Sequence, residues 1–243
     1  MSQRLFYNLF ATDGFIDLPI DPTGTEPRRR AYVFGFVGGL FKTQPISFGV
    51  PTGPATVVNP QFDITVPANF DALRGKAVIP SPRIDMEIGD ELYITLVNLG
   101  LYLTSPPILD VHTIHVHGGH VANQVDGVPE TSFGLPVTPP GTPGIPVTYY
   151  FKPEKPGTYF YHCHQEASEH VQMGMYGALI VYPSALSLAQ AGIVRSQTSG
   201  RWFFKGRPQP QIPPTATNRN FAYNDINSFF NSDWVLLFSD IDT

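Results

Sequence analysis

The chain contains a single cysteine, Cys163, and it stands between two histidines, His162 and His164. His170 follows seven residues later and Met175 five residues after that. A thiolate, imidazoles and a thioether this close together suit copper, which soft sulfur and nitrogen donors select over harder ions. A lone cysteine is often a small buried hydrophobe, but here the flanking histidines favour a metal-binding thiolate. All seven histidines fall between positions 112 and 170. They form two clusters: His112, His115, His117 and His120, then His162, His164 and His170.

Alternation predicts how these side chains point, because residues two apart on a strand share a face. His115 and His117 should point together, and so should His162 and His164. Cys163 should point to the opposite face. One strand would then turn a thiolate toward one copper and two imidazoles toward a second centre. The first copper is expected at a His₂Cys site with a weak axial methionine, a geometry that suits electron transfer. Cys163, His170, Met175 and His112, the last from another strand, are the expected ligands. Met173 competes with Met175 for the axial position. Gly174 favours Met175 by allowing the chain close to the metal.

Positioning these groups falls to a chain of 243 residues, enough for one large or two small domains. Charged residues make up only 14%, while Gly (22) and Pro (25) are frequent, which predicts short strands and turns in an all-β sandwich or barrel. The net charge of -5 and the lack of a basic stripe argue against nucleic acid as a partner. Arg28-Arg29-Arg30 is isolated and reads as a solvated turn. One cysteine excludes an internal disulfide, so the compartment cannot be read from disulfides. No apolar run approaches the ~18 residues of a membrane span. No signal peptide is visible at residues 1–10, so the protein stays inside or its leader is missing from this sequence.

Strands are expected at 5–10 and 31–37, with a turn at Asp21-Pro22-Thr23-Gly24 between them. Residues 43–60 read as loop and edge strand. Residues 83–87 and 91–97 alternate about Gly89-Asp90 and read as a hairpin-like pair. Further strands are expected at 110–117, 147–151, 158–161 and 177–182, a loop at 134–146 and a short helix at 185–191. Residues 201–220 are polar and Pro-rich and read as a linker. Residues 233–240 read as one more strand, either the start of a further domain or the closing edge of the same sandwich. The expected organisation is strands packing on the sandwich at 1–60, the main domain at 61–184, and linker plus possible first strand of an absent domain at 185–243.

The pattern His112-x-x-His115-x-His117-Gly118, joined to His162-Cys163-His164 with His170 and Met175 downstream, resembles the multicopper oxidases and their cupredoxin domains. The resemblance runs from about Pro80 to Tyr182. It takes in Pro82-Arg83-Ile84, Gly89-Asp90, Asn98, Asp126-Gly127-Val128-Pro129, Pro140-Gly141, Gly157-Thr158-Tyr159-Phe160-Tyr161 and Gly177-Ala178-Leu179-Ile180-Val181. It implies a cupredoxin-like Greek-key β-sandwich with an N-terminal arm and a C-terminal extension. His112, Cys163, His170 and Met175 then correspond to type 1 copper ligands. His115 corresponds to a type 2 ligand, and His117, His162 and His164 to type 3 ligands. The implied activity is one-electron oxidation of a phenolic or metal-ion donor. Electrons cross Cys163 to a trinuclear cluster that reduces dioxygen to water. Asp126 would relay protons there. A periplasmic, extracellular or cell-surface location also follows from the resemblance.

Two departures stand out. The gap from Cys163 to His170 is longer than in laccases, and the His170–Met175 spacing resembles that of copper nitrite reductases. The trinuclear cluster of this family takes four histidines from each of two domains, and this chain supplies one set of four. The missing set would come from a second cupredoxin domain or an identical subunit. Otherwise the chain is a partial site, a non-enzymatic blue-copper electron-transfer module. A copper nitrite reductase-like enzyme is a further alternative, although it needs only one histidine beside the cysteine. His120 reads as a loop residue near the metals. Glu166 and Glu169 read as a solvated loop that could attract a cation. Tyr159, Phe160 and Tyr161 read as core and strand residues.

Overall fold

Alternating apolar residues and frequent turn residues give a chain of strands joined by loops. The computed structural model describes residues 2–18, 29–119, 121–204, 207–208 and 212–239. In order these form β1 (Ser2–Asp17), β2 (Arg30–Ser47), β3 (Val50–Pro51), β4 (Thr56–Val57), α1 (Pro67–Asp71), β5 (Ser81–Glu87), β6 (Glu91–Asn98) and β7 (His115–His117). There follow β8 (Pro146–Phe151), β9 (Gly157–His162), α2 (Ala167–His170), β10 (Tyr176–Tyr182), α3 (Ala185–Gln190), β11 (Ile193–Arg195), β12 (Trp202–Phe204) and β13 (Arg207–Pro208). The expected turn at 21–24, Arg28 and His120 lie outside the described residues. No helix among the described residues is long and apolar enough to cross a membrane.

Two sheets face each other. One has the order β3-β2-β1-β6-β8, with β4 also on β2, and the other β5-β10-β9-β7. Their inner faces share one core. Leu9, Ile94, Leu96 and Tyr149 enter it from the first sheet, and Ile84, Met86, Tyr161 and Leu179 from the second. Burying a large apolar side chain of this kind contributes roughly 1.5–3 kcal/mol. Cys163 and Met175 belong to the same core. The fold is an all-β sandwich of two sheets on one core.

The hairpin-like pair at 83–97 is not a hairpin. β5 lies parallel to β10 in one sheet, and β6 parallel to β1 in the other. Alternation identifies the buried face of each strand but not its neighbour, and two strands facing one core from opposite sheets read the same way. Residues 88–90 turn the corner. There the Asp90 carboxylate accepts the Gln3 amide at 2.8 Å and the Glu87 amide at 2.9 Å.

The N-terminal residues do more than pack on the sandwich. β1 is inserted between β2 and β6. β2 reaches the second sheet through the Phe36 amide to Ser81 Oγ (3.1 Å) and the Phe34 amide to the Met173 carbonyl (3.0 Å). The second bond ties β2 to the loop between His170 and Met175.

The stretch read as a linker packs instead. Trp202, Ile212, Ala216 and Phe221 join Leu188, Ile193 and Ile226 in a satellite core, and the Trp202 indole donates to the Ala216 carbonyl at 3.1 Å. Scattered apolar residues among prolines gave no periodicity from which to read this cluster. Residues 233–239 pair with no strand among the described residues. Val235 and Leu237 pack on Ala178, Ile180 and Tyr182, while Trp234, Leu236 and Phe238 face solvent. Asp233 anchors this end by accepting from Arg83 (2.7 Å) and the Tyr182 hydroxyl (2.8 Å).

Candidate metal centre

Cys163 and His164 lie just beyond the end of β9, not inside a longer strand. The expected strand at 110–117 is likewise shorter: His115–His117 form β7, while His112 makes an isolated bridge to Leu135. Backbone bonds still hold the segment. The Cys163 amide donates to the Met175 carbonyl at 3.0 Å, and the His164 amide to Thr113 Oγ1 at 3.1 Å. The spacing from Cys163 to Met175 is bridged by α2, a single helical turn opened by Glu166 in the left-handed region (φ 44). The Glu166 carbonyl accepts from His170, and the His170 carbonyl from Met175. Gly174 (φ +119) is needed for a different approach than expected: a Cβ there would collide with the Ile79 side chain and stand 2.8 Å from the Phe34 carbonyl oxygen. It lets the loop dock against β2.

On one side of Cys163 three donors converge. His170 Nδ1 lies 3.4 Å and His112 Nδ1 3.9 Å from Cys163 Sγ, and all three residues are fully buried (0% exposed). With ligand bonds of roughly 2.0–2.3 Å, two donors on one ion stand roughly 3.3–4 Å apart. One thiol carries one proton, yet both imidazoles turn Nδ1 toward the sulfur. A cation satisfies the three together, so the residues fit copper. Among the described residues no hydrogen bond holds either Nε2 atom, and both are buried. Ring packing places them instead, His112 against His170 at 4.7 Å between centroids and Phe34 edge-on to His170 at 5.8 Å. Burial pushes the Cys163 thiol up to about 11, while the Thr113 amide, 3.5 Å from Sγ, works against that rise. Burial, with His170 adding to it, lowers the His112 imidazole to about 3. In the metal-free chain, then, the sulfur is a thiol and His112 is neutral at pH 7. Metal binding displaces the thiol proton. Met175 is buried in the same core as Cys163, whereas Met173 is only half-buried. A second group of donor atoms, from Asp110, Glu166 and His170, gathers within 4.8 Å beside the same imidazole.

On the other side four histidines meet. β7 pairs with β9 so that His115 lies opposite His162 and His117 opposite Phe160. His115 stands 5.8 Å from His117, 5.4 Å from His162 and 5.3 Å from His164, centroid to centroid. His162 and His164 are 5.6 Å apart. This is looser than the cysteine pocket, where the His112 and His170 centroids are 4.7 Å apart. Burial also differs: His162 is buried, His115 and His164 half-buried, and His117 exposed. His115 Nδ1 meets the Asp126 carbonyl at 2.6 Å and His162 Nδ1 the Cys163 carbonyl at 2.8 Å. Each carbonyl fixes Nδ1 as the protonated nitrogen and leaves Nε2 to act as a donor to metal. Burial lowers the His162 pKa, and its histidine neighbours add to the effect.

The contact from Asp126 to this quartet is through its carbonyl. Its carboxylate Oδ1 accepts instead from the Val128 amide (2.9 Å) and the Thr131 hydroxyl (3.2 Å). Gly127 (φ +79) makes that approach possible, since a Cβ there would collide with the Ile114 carbonyl. Glu166 and Glu169 are exposed. Phe160 is not a core residue: it is 39% exposed and lies against the quartet. The roles of Thr113 and Asp110 left no sign in the sequence, and Asn98 was marked only as part of the resemblance. Asn98 Nδ2 donates to the Asp110 carbonyl (2.7 Å) and the Leu135 carbonyl (2.8 Å), tying together the loops around His112. Asp110 Oδ2 lies 3.6 Å from His170 Nε2. Residues that act through backbone groups or a loop crossing leave no spacing signal; only Thr113's place beside His112 could have marked it.

A family model described as multicopper oxidase matches residues 75–186, which span both donor sets. No curated protein matches the sequence. Among solved structures, the chain is similar to a multi-copper oxidase from Pseudomonas thermotolerans (21% identity, 75% of this chain and 30% of that one, TM-score 0.45). It is also similar to the blue copper oxidase from Nitrosomonas europaea (28% identity, 73% of this chain and 38% of that one, TM-score 0.44). The chain therefore spans less than half the length of either protein.

Proposed function

Since residues 75–186 match a family model described as multicopper oxidase, we propose that the chain forms part of a copper oxidase. In this reading a small donor is oxidised one electron at a time and dioxygen is reduced to water. His112, Cys163, His170 and Met175 hold a type 1 copper. His115 belongs to a type 2 site, and His117, His162 and His164 to a type 3 pair. Copper, when bound, supplies the one-electron redox chemistry and the reduction of dioxygen. The protein's residues hold and orient. Burial keeps water from the cysteine pocket, the Thr113 amide donates to the sulfur, and the Asp126 and Cys163 carbonyls set the tautomers of His115 and His162. Asp126 is the candidate carboxylate for delivering protons. The donor is a phenol or a metal ion. A second cupredoxin domain or a second copy of this chain brings the other four histidines. A periplasmic, extracellular or cell-surface location follows from the family.

The observation that carries this reading is the convergence of two Nδ1 atoms and one Sγ in a closed pocket, with four imidazoles beyond the same cysteine. Oxygen uptake by the copper-loaded chain with a phenolic or cuprous, ferrous or manganous donor tests it. Uptake that disappears with His162→Ala supports it. Strong visible absorption without uptake, under conditions where chains assemble, would replace it with the second reading. That reading is an electron-transfer module with no oxygen chemistry, and the one-sided, partly exposed quartet favours it.

A further inference from the structure

Three of the four histidine rings beyond Cys163 have evident supports. Carbonyl oxygens hold His115 and His162, and His164 packs on His162 at 5.6 Å and 29°. His117 is the most exposed of the four, and no hydrogen bond to its ring nitrogens is found among the described residues. Its ring lies against Phe160 at 4.7 Å between centroids with only 15° between planes. Phe160 also lies 5.3 Å and 24° from His162. Register places Phe160 directly opposite His117, and alternation puts it on the face of His162. A ligating imidazole needs its plane fixed, usually by a hydrogen bond on the nitrogen that does not bind metal. An offset aromatic pair restricts the same rotation by packing.

We infer that Phe160 is the positioning residue for His117, replacing by stacking the ring-nitrogen hydrogen bond that fixes His115 and His162. Its 39% exposure fits this task better than core filling, because the ring stands at the open edge of the quartet. The inference rests on the reading of the quartet as a metal site. Removing the ring frees His117 to turn toward solvent and weakens metal binding there. The buried cysteine pocket, on the other side of the strand, is untouched.

The test compares the parent chain with Phe160→Leu and Phe160→Trp by zinc titration of the metal-free protein. The first equivalent reports the cysteine pocket and should not change in any of them. The second should weaken about 10–100-fold in Phe160→Leu, as when an outer support of a metal ligand is lost, and stay within about threefold in Phe160→Trp. An unchanged second equivalent in Phe160→Leu overturns the inference while leaving the quartet as a metal site. A parent that binds no second equivalent overturns both. NMR of the parent gives an independent answer should Phe160→Leu also lose the first equivalent. His117 Hε1 shifted upfield by the Phe160 ring supports the stack, and an ordinary position refutes it.

Discussion

The two sides of Cys163 differ in nearly every respect that bears on metal binding. Toward the sulfur, the rings of His112 and His170 are fully buried, turn Nδ1 inward and are held by packing. Away from it, His115 and His162 bind carbonyls through Nδ1, and exposure rises from His162 to His117. One side has the closeness and burial of a self-contained site, the other wider spacing and partial exposure to solvent. A closed pocket needs nothing further to exclude water. If the quartet is the half-set of the proposed function, more protein completes it, and its chemistry is conditional on assembly.

Substitutions can separate the sides. Cys163→Ser should abolish tight copper binding and visible absorption at the closed pocket, well beyond the roughly 10–100-fold that loss of an outer partner costs. Titration of the variant should still show the weaker quartet equivalent; losing both would mean that the sides are not independent. Gly174→Ala forces a side chain into Ile79 at positive φ and should destabilise the chain by about 2–3 kcal/mol. Chemical denaturation measures this, and the loss should be accompanied by weaker copper binding at the pocket, because the docked loop carries His170 and Met175. His115→Ala should weaken the quartet equivalent about 10–100-fold while leaving the absorption of the pocket unchanged. A smaller effect is expected from pH in the metal-free chain. His112, held down at about 3 in the folded state, takes its proton near pH 6.5 when unfolded. The unfolded state therefore binds the extra proton first. Stability is fully present above pH 6.5 and is lost as pH falls toward 3, by at most about 1.4 kcal/mol per pH unit. Urea denaturation of the parent and of His112→Asn across that range checks the sign, since the difference between them should shrink as pH falls.

The direction of the side chains around Cys163 was the most legible part of the sequence. Spacing alone grouped His115 with His117 and His162 with His164 and turned Cys163 away from them, because period-two alternation persists even where β9 has ended. The short helix was also readable: Ala185–Gln190 is helical, and Ser184 and Ser187 cap each other at its start. What could not be read was partnership over distance. Neither the separation of β5 from β6 into different sheets nor the insertion of β1 beside β6 is encoded in alternation. Asp126 illustrates the limit at the site: its residue type suggested a carboxylate role, whereas its nearest contact to the quartet uses a carbonyl that any residue has. Trp202 and Phe221 form a satellite core from residues too scattered to show a period.

The most direct test of the account is copper per chain measured together with the mass in solution. A monomer should hold one tight copper with strong visible absorption. A pair of chains facing each other should hold about two and a half per chain, one in each closed pocket and three shared. A monomer with about four tightly held coppers would contradict the half-set, and a chain with no tight copper at all would contradict the closed pocket.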